Sequence, residues 1–197
     1  AREAGIKGLR LGVLSEDERE GIDAEILSLY ENAIGVLRSL GAEISVFQMP
    51  MRFEDMQDAT GSIIYSEGYY HHGEMYEDKD ATVDPHVRPR ILGGRDISAR
   101  DYLAALFKRR NDQAEFLNGM RGYTGFVTPT AAYPAIPLDQ VDQKTTPARF
   151  TRGTNYLGLC GLSVPMGLTS SGLPGGLQIL ARQNDEAKAI RVGASFE

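Results

Sequence analysis

Between Gly8 and Leu14 the chain alternates, with Leu9, Leu11 and Val13 on one side, the period of a strand. After a charged connection, Ile26, Leu29, Tyr30, Ala33, Leu37 and Leu40 recur at helical spacing, and Gly41 supplies the residue that tolerates a left-handed ending. Ala42 to Met49, carrying Ile44 and Val46, predicts a second strand. Strand, helix and strand over this span make a βαβ unit, whose crossover is almost always right-handed. From Met51 to Asp80 the apolar positions Ile63, Ile64, Tyr65, Tyr69 and Tyr70 predict a helix with one apolar face, weakened by Gly61, Gly68 and Gly73. Asp84 to Gly94 holds Pro85, Pro89, Gly93 and Gly94 and reads as a loop.

Ser98 stands three residues before Asp101, the spacing of a capping box, and opens a long helix through Leu103, Leu106, Phe107 and Phe116. Lys108, Arg109 and Arg110 fall on its exposed side in this reading. Gly125 to Thr128 is a short strand entering a proline-rich segment, and Thr151 to Leu157 a helix. Leu162 to Pro165 and Gly176 to Leu180 read as neighbouring strands joined by a turn at Ser170-Ser171-Gly172, and a final helix begins near Asp185. The alternation of elements predicts an α/β fold, and no internal repeat or clear domain linker divides the chain.

Composition narrows the function classes. Hydrophobic residues at 42% and charged residues at 24% are near the average of soluble domains. No run reaches the roughly 18 apolar residues of a membrane span. The start, Ala1-Arg2-Glu3, lacks an initiator methionine and a secretion signal, which fits a processed or excised chain as well as a complete one. A net charge of −6 disfavours a large nucleic-acid face. The single cysteine, Cys160, allows no internal disulfide, which fits a reducing compartment; the expected location is the cytoplasm.

The most specific text lies towards the end. Asn155-Tyr156-Leu157-Gly158-Leu159 runs on through Ser163, Pro165 and Gly167, followed by Gly172-Leu173-Pro174-Gly175-Gly176-Leu177-Gln178, then Asp185-Glu186 and a terminal Phe196-Glu197. This resembles the closing segment of amidase-signature enzymes in both order and spacing. Gly8 to Val13, Gly41-Ala42-Glu43, Met49-Pro50, the passage Arg90, Gly94, Ser98, Asp101, Tyr102, and Thr128-Pro129-Thr130 resemble further parts of that family, so the likeness runs along nearly the whole chain. Three positions depart from it. Gly175 replaces a branched apolar residue, Met166 stands where cysteine is frequent, and Gly125-Phe126 replaces an aspartate-containing lead-in.

The resemblance implies hydrolysis or transfer at a carboxamide, without cofactor or metal, by a serine nucleophile, a second serine preceded by a cis peptide, and a lysine. In the family these lie upstream of the strand matching Gly8 to Val13, so no catalytic residue carries over to this chain. It further implies a mixed twisted sheet with helices on both faces, of which residues 1–197 are the single C-terminal portion, a small amide substrate for the whole enzyme and a missing amino-terminal half as partner. A homo-oligomer is left open, and neither a membrane nor direct nucleic-acid contact is expected. Which amide is cut, and whether the parent is a free amidase or part of an amidotransferase, stay open. The alternative is a non-catalytic α/β scaffolding or partner-binding module built on the same fold.

Three residues are expected to contact substrate. Arg90 is placed to clamp a carboxylate, as an arginine in this region does in some relatives, with Arg88 and Arg95 competing for the match and an ion pair as the plainer reading. Tyr69, beside Tyr70, lines a cavity or simply packs, half-buried. Asn155 bonds backbone near the sheet edge or touches substrate. Ser170-Ser171 fits a turn better than a paired-serine site. His71-His72 lacks metal-ligand spacing and fits a solvated face. Cys160, without a basic neighbour, fits a structural thiol.

Overall fold

A computed structural model describes residues 4–143 and 146–197; the Ala1-Arg2-Glu3 start lies outside them. Five strands form one mixed sheet: β1 (Arg10–Val13), β2 (Glu43–Val46), β3 (Gly125–Pro129), β4 (Cys160–Leu168) and β5 (Pro174–Ala181). Their spatial order is β2-β1-β3-β5-β4. β1 pairs in parallel with β2 and β3, while β5 runs antiparallel to both β3 and β4. The helices are α1 (Ala24–Ser39), α2 (Phe53–Glu77), α3 (Arg88–Gly93), α4 (Ala99–Gly119), α5 (Arg149–Leu157) and α6 (Glu186–Phe196). This is the α/β arrangement that the hydrophobic pattern predicts.

Helices cover both faces of the sheet because the side chains of β4 and β5 alternate. Leu162, Val164 and Ile179 press on Gly193 of α6, whereas Gly161, beside Leu180, faces Thr154 of α5. On the first face Tyr30 of α1 is fully buried; its hydroxyl donates to Val127 O at 2.8 Å and accepts from Leu14 N at 3.0 Å, tying the helix to β3 and to the residue that follows β1. On the other, Phe47, Phe116 and Tyr123 meet edge to face, and Phe53 stacks on Phe126.

Two strands outrun the predicted lengths. β4 passes through Pro165 and Gly167 because a bulge between them sets Met166 as an extra residue, with Gly167 at φ +136°. Met166 and Leu29 fill the space beside Gly175, where a Cβ would come within 3.1 Å and 3.0 Å of them. Two of the departures from the family pattern therefore compensate each other.

The segment 84–94 is not the loop expected. Asp84 Oδ1 accepts the N–H groups of His86 and Val87, and α3 follows with Pro89 in its first turn, where a missing N–H costs nothing. The exposed stripe predicted on α4 also needs correction at Arg109. Its guanidinium donates to Tyr156 O at 2.7 Å and Asn155 O at 2.9 Å, satisfying the last carbonyls of α5. Ser98 caps α4 as predicted, accepting from Asp101 N at 3.1 Å and donating to Asp101 Oδ2 at 2.6 Å.

Candidate functional site

Helices α2, α3 and α5 converge closely because glycine stands at each contact. A Cβ on Gly94, just after α3, would lie 1.9 Å from Tyr65 O, and one on Gly68 would lie 2.8 Å from Ile91 Cδ1. A Cβ on Gly153 of α5 would meet Phe53 Cδ1 at 2.6 Å. Between the three helices remains a cavity of about 260 Å³. α2 contributes Gly61, Ile64 and Tyr65, α3 contributes Arg90 and Ile91, and α5 contributes Arg152. Val87 and Thr146 complete the wall. Among the described residues no carboxylate lines it.

Of the three arginines that compete in the sequence, only Arg90 faces this space. Arg88 donates to the carbonyls of Tyr76 at 2.6 Å, Asp78 at 2.9 Å and Ala81 at 3.0 Å, closing the end of α2. Arg95 lies between Glu77, at 3.9 Å, and Asp96, at 3.5 Å. Arg90 is half-buried and donates through Nη2 to Gln143 O. Tyr69 and Asn155 are not brought to the same place. Tyr69 lines two neighbouring grooves at the far end of α2, its hydroxyl held by Glu77 at 2.6 Å. Asn155 is exposed at the end of α5, and its carbonyl is taken by Arg109.

A second cavity, of about 380 Å³, lies on the other side of Thr146 and is lined by Arg52 and Arg149 together with Glu20 and Glu54. Its cations are already engaged. Arg149 donates to Glu18 Oε2 at 3.2 Å, Glu18 O at 3.1 Å and Glu20 O at 2.6 Å, and Arg52 lies 4.0 Å from Glu18 Oε1.

The remaining candidates fall into structural roles. Ser170 donates through N and Oγ to the Glu25 carboxylate, at 2.6 and 2.7 Å, in the turn between β4 and β5. Cys160 Sγ donates to Arg182 O at 3.1 Å, and burial pushes its thiol above the usual range, the reverse of what activates a nucleophile. His71 and His72 are exposed on α2, with Tyr70 against the His71 ring. Among the described residues no three His, Cys, Asp or Glu side chains are grouped to hold a metal ion. No described helix is long and apolar enough to cross a membrane.

The family model for Amidase matches residues 2–190. The chain belongs to the amidase family. The A subunit of glutamyl-tRNA(Gln) amidotransferase from Acidobacterium capsulatum is 32% identical, over 99% of this amidase chain and 47% of the relative. Its counterpart from Gluconobacter oxydans is 29% identical, over 100% of this chain and 45% of its own length. Among solved structures, an amidase crystal structure superposes with a TM-score of 0.86 at 22% identity, covering 97% of this chain and 45% of that one. The urea amidolyase of K. lactis does so with a TM-score of 0.85 at 21% identity, covering 96% of this chain and 12% of that one. The chain thus spans less than half the length of each of these proteins.

In this amidase chain the closing text has visible structural work. Gly158, at φ +66°, ends α5 in the left-handed conformation. Ser163 and Thr130 share a hydrogen bond of 2.6 Å across the place where a Gly176 Cβ would collide with both hydroxyls. Gln178 is buried in β5; its amide donates to Thr128 Oγ1 at 3.0 Å and accepts from Thr154 Oγ1 at 3.3 Å. Sequence reasoning did not single out Gln178, though one amide between Leu177 and Ile179 in an apolar strand is a signal that its partners must be found inside. Glu18 and Arg152 were also missed, since nothing local distinguishes either from a solvated charge.

Proposed function

We propose that this chain is the carboxyl-terminal part of an amidase that hydrolyses carboxamide C–N bonds to a carboxylate and ammonia or an amine, with its catalytic residues outside the chain. A serine hydroxyl is a weak nucleophile until a base takes its proton, and a lysine desolvated enough to be neutral is such a base. That serine, its cis-peptide-linked partner serine and the lysine come from the other part of the enzyme. This part supplies the sheet against which they are held and, through the cavity at Arg90, the wall that receives the acyl side of the substrate.

The observation that carries the reading is a family match along nearly the whole chain that accounts for less than half of each relative. The surface supports it. β4 is a nine-residue edge strand bonded on one side only among the described residues, and Leu168 at its end is 65% exposed. On α4 Leu103 and Phe107 are half exposed. An unpaired strand and bare apolar side chains are the surface a completed fold covers, whereas a self-sufficient scaffolding module would have sealed them.

The test is labelling with a fluorophosphonate, which reacts with activated serines, together with ammonia release from a panel of simple amides. The 197-residue chain is expected to remain unlabelled and silent, and a longer chain carrying the upstream segment to be labelled and active. Labelling of the short chain, or ammonia release by it, overturns the assignment of the chemistry to another segment.

A further inference from the structure

We propose that α4 is a docking surface for a second copy of this chain, which lies against it antiparallel, so that two α4 helices meet across a two-fold axis near residues 110 and 111. The proposal goes beyond the reading above by dividing the bare surface between two occupants. The free edge of β4 is left to the other part of the enzyme, and the apolar stripe of α4 goes to its own symmetry mate.

The spacing on α4 singles this face out. Leu103, Phe107, Arg110, Ala114 and Leu117 follow one another at intervals of four, three, four and three residues, the repeat of a coiled-coil seam. All five are exposed, Leu103 at 50% and Phe107 at 58%. The inward side of the helix is engaged elsewhere. Phe116 is buried against Phe47, Arg109 and Gln113 hold the Tyr156 carbonyl, and Asp112 accepts from the Tyr156 hydroxyl at 2.6 Å. The seam therefore faces away from the body of the protein, over about 21 Å at roughly 1.5 Å per residue. Its one charge, Arg110, keeps its guanidinium over the Phe107 ring, 5.6 Å from the centroid, so the cation lies along the helix.

The order of large and small side chains selects the occupant. Set against an antiparallel copy about a point between residues 110 and 111, Phe107 falls opposite the partner's Ala114, Leu117 opposite the partner's Ala104, and Arg110 opposite the partner's Asn111. Each large side chain meets a small one, and symmetry makes every such match occur twice. The alanines let the two axes approach to the short end of the roughly 8–10 Å usual for packed helices. Asn111 brings a carbonyl acceptor to the donors of Arg110 near the axis, a polar pair of the kind that fixes register in coiled coils. An unrelated partner has no reason to carry the reverse of this order, whereas a copy carries it necessarily. A seam on one helix is at the small end of specific interfaces, so the dissociation constant is expected at about 1–100 µM.

Sedimentation velocity on the 197-residue chain, and on a longer chain carrying the upstream segment, reads the association directly. Both are expected to dimerise in that range. Phe107→Ala and Ala114→Phe should each weaken the dimer about 10- to 100-fold, the first by removing a seam side chain twice over and the second by setting two phenylalanines against each other. The two changes combined restore the large-to-small order in reverse and should recover most of the loss, which a merely destabilised helix would not do. Circular dichroism checks that each variant is folded. Leu168→Glu, at the end of β4, should leave this dimer unchanged. A chain that is monomeric up to about 1 mM, indifference to Phe107→Ala, a double variant no better than the single ones, or a dimer abolished by Leu168→Glu each overturns the proposal. So does a longer chain that stays monomeric, which gives the stripe to the other part of the enzyme instead. Fluorophosphonate labelling reports on the amidase reading separately, so either idea is able to fail alone.

Discussion

Glu18 offers the sharpest test of what holds the α2–α5 side of the molecule together. Its side chain is 1% exposed and sits in a short charged turn before α1. Oε1 accepts the N–H of Phe53, the first residue of α2, at 3.2 Å, and Oε2 accepts from Arg149 Nη2, at the start of α5, at 3.2 Å. One carboxylate thus serves as a cap for α2 and as counter-charge to a guanidinium whose side chain is only 17% exposed. Removing one partner of a buried pair costs about 3–5 kcal/mol. Arg149 keeps the carbonyls of Glu18 and Glu20, so Glu18→Ala belongs at the low end, about 3 kcal/mol, against a total stability of roughly 5–15 kcal/mol. Glu18→Gln retains an acceptor for Phe53 and should lose about 1–2 kcal/mol. Urea denaturation followed by far-UV circular dichroism measures both, with the slope checked for constancy. A double change with Arg149→Met should cost clearly less than the sum of the single losses. If Glu18→Ala lies within about 0.5 kcal/mol of the unaltered chain, the pair is not what joins the two helices.

Two further predictions rest on equally local geometry. Tyr30→Phe strands Leu14 N–H and Val127 C=O and should cost about 1–3 kcal/mol. Burial raises the Tyr30 phenol above its unfolded value of about 10, so its share of stability is intact below that pH and is lost on going higher. The unaltered chain should therefore lose stability more steeply above pH ~10 than Tyr30→Phe, and parallel alkaline denaturation profiles would refute the role. Glycines on the two facing segments should respond with opposite sign. Gly94→Ala drives a methyl into Tyr65 O and should destabilise by about 1–3 kcal/mol. Gly61→Ala meets nothing and should stabilise α2 by about 0.5–1 kcal/mol. Thermal melts of the two variants decide it, and a shift in the same direction for both would contradict the close packing of Gly94 against α2.

Much of the fold was legible because it is written in periods. The strand signal around Leu11 and Val13, the helical spacing from Ile26 to Leu37 and the Ser98 cap each depend on neighbours in the chain, and each finds its element in the structure, the strand trimmed to Arg10–Val13. What was not legible depends on partners distant in sequence. The strand predicted to stop at Pro165 runs on to Leu168 because β5 accommodates a bulge between Pro165 and Gly167. Pro89 and Gly94 look like loop residues, yet the proline sits in the first turn of α3 and the glycine is needed for the approach to Tyr65, 29 positions earlier.

The site shows the same division more severely. Arg88, Arg90 and Arg95 stand within one short segment and are chemically identical, so no local rule assigns their roles. Three carbonyls at and just beyond the end of α2 take Arg88, Glu77 and Asp96 take Arg95, and what distinguishes Arg90 is the space left open by Gly61 and shared with Arg152. Arg152 is separated from Arg90 by 62 residues and from Gly61 by 91, and only the packing of α5 onto α2 makes the three neighbours. A charge becomes a binding group when its surroundings leave it unmatched. That property belongs to the assembled cavity, and it is why the same residue type closes a helix at position 88 and lines a cavity at position 90.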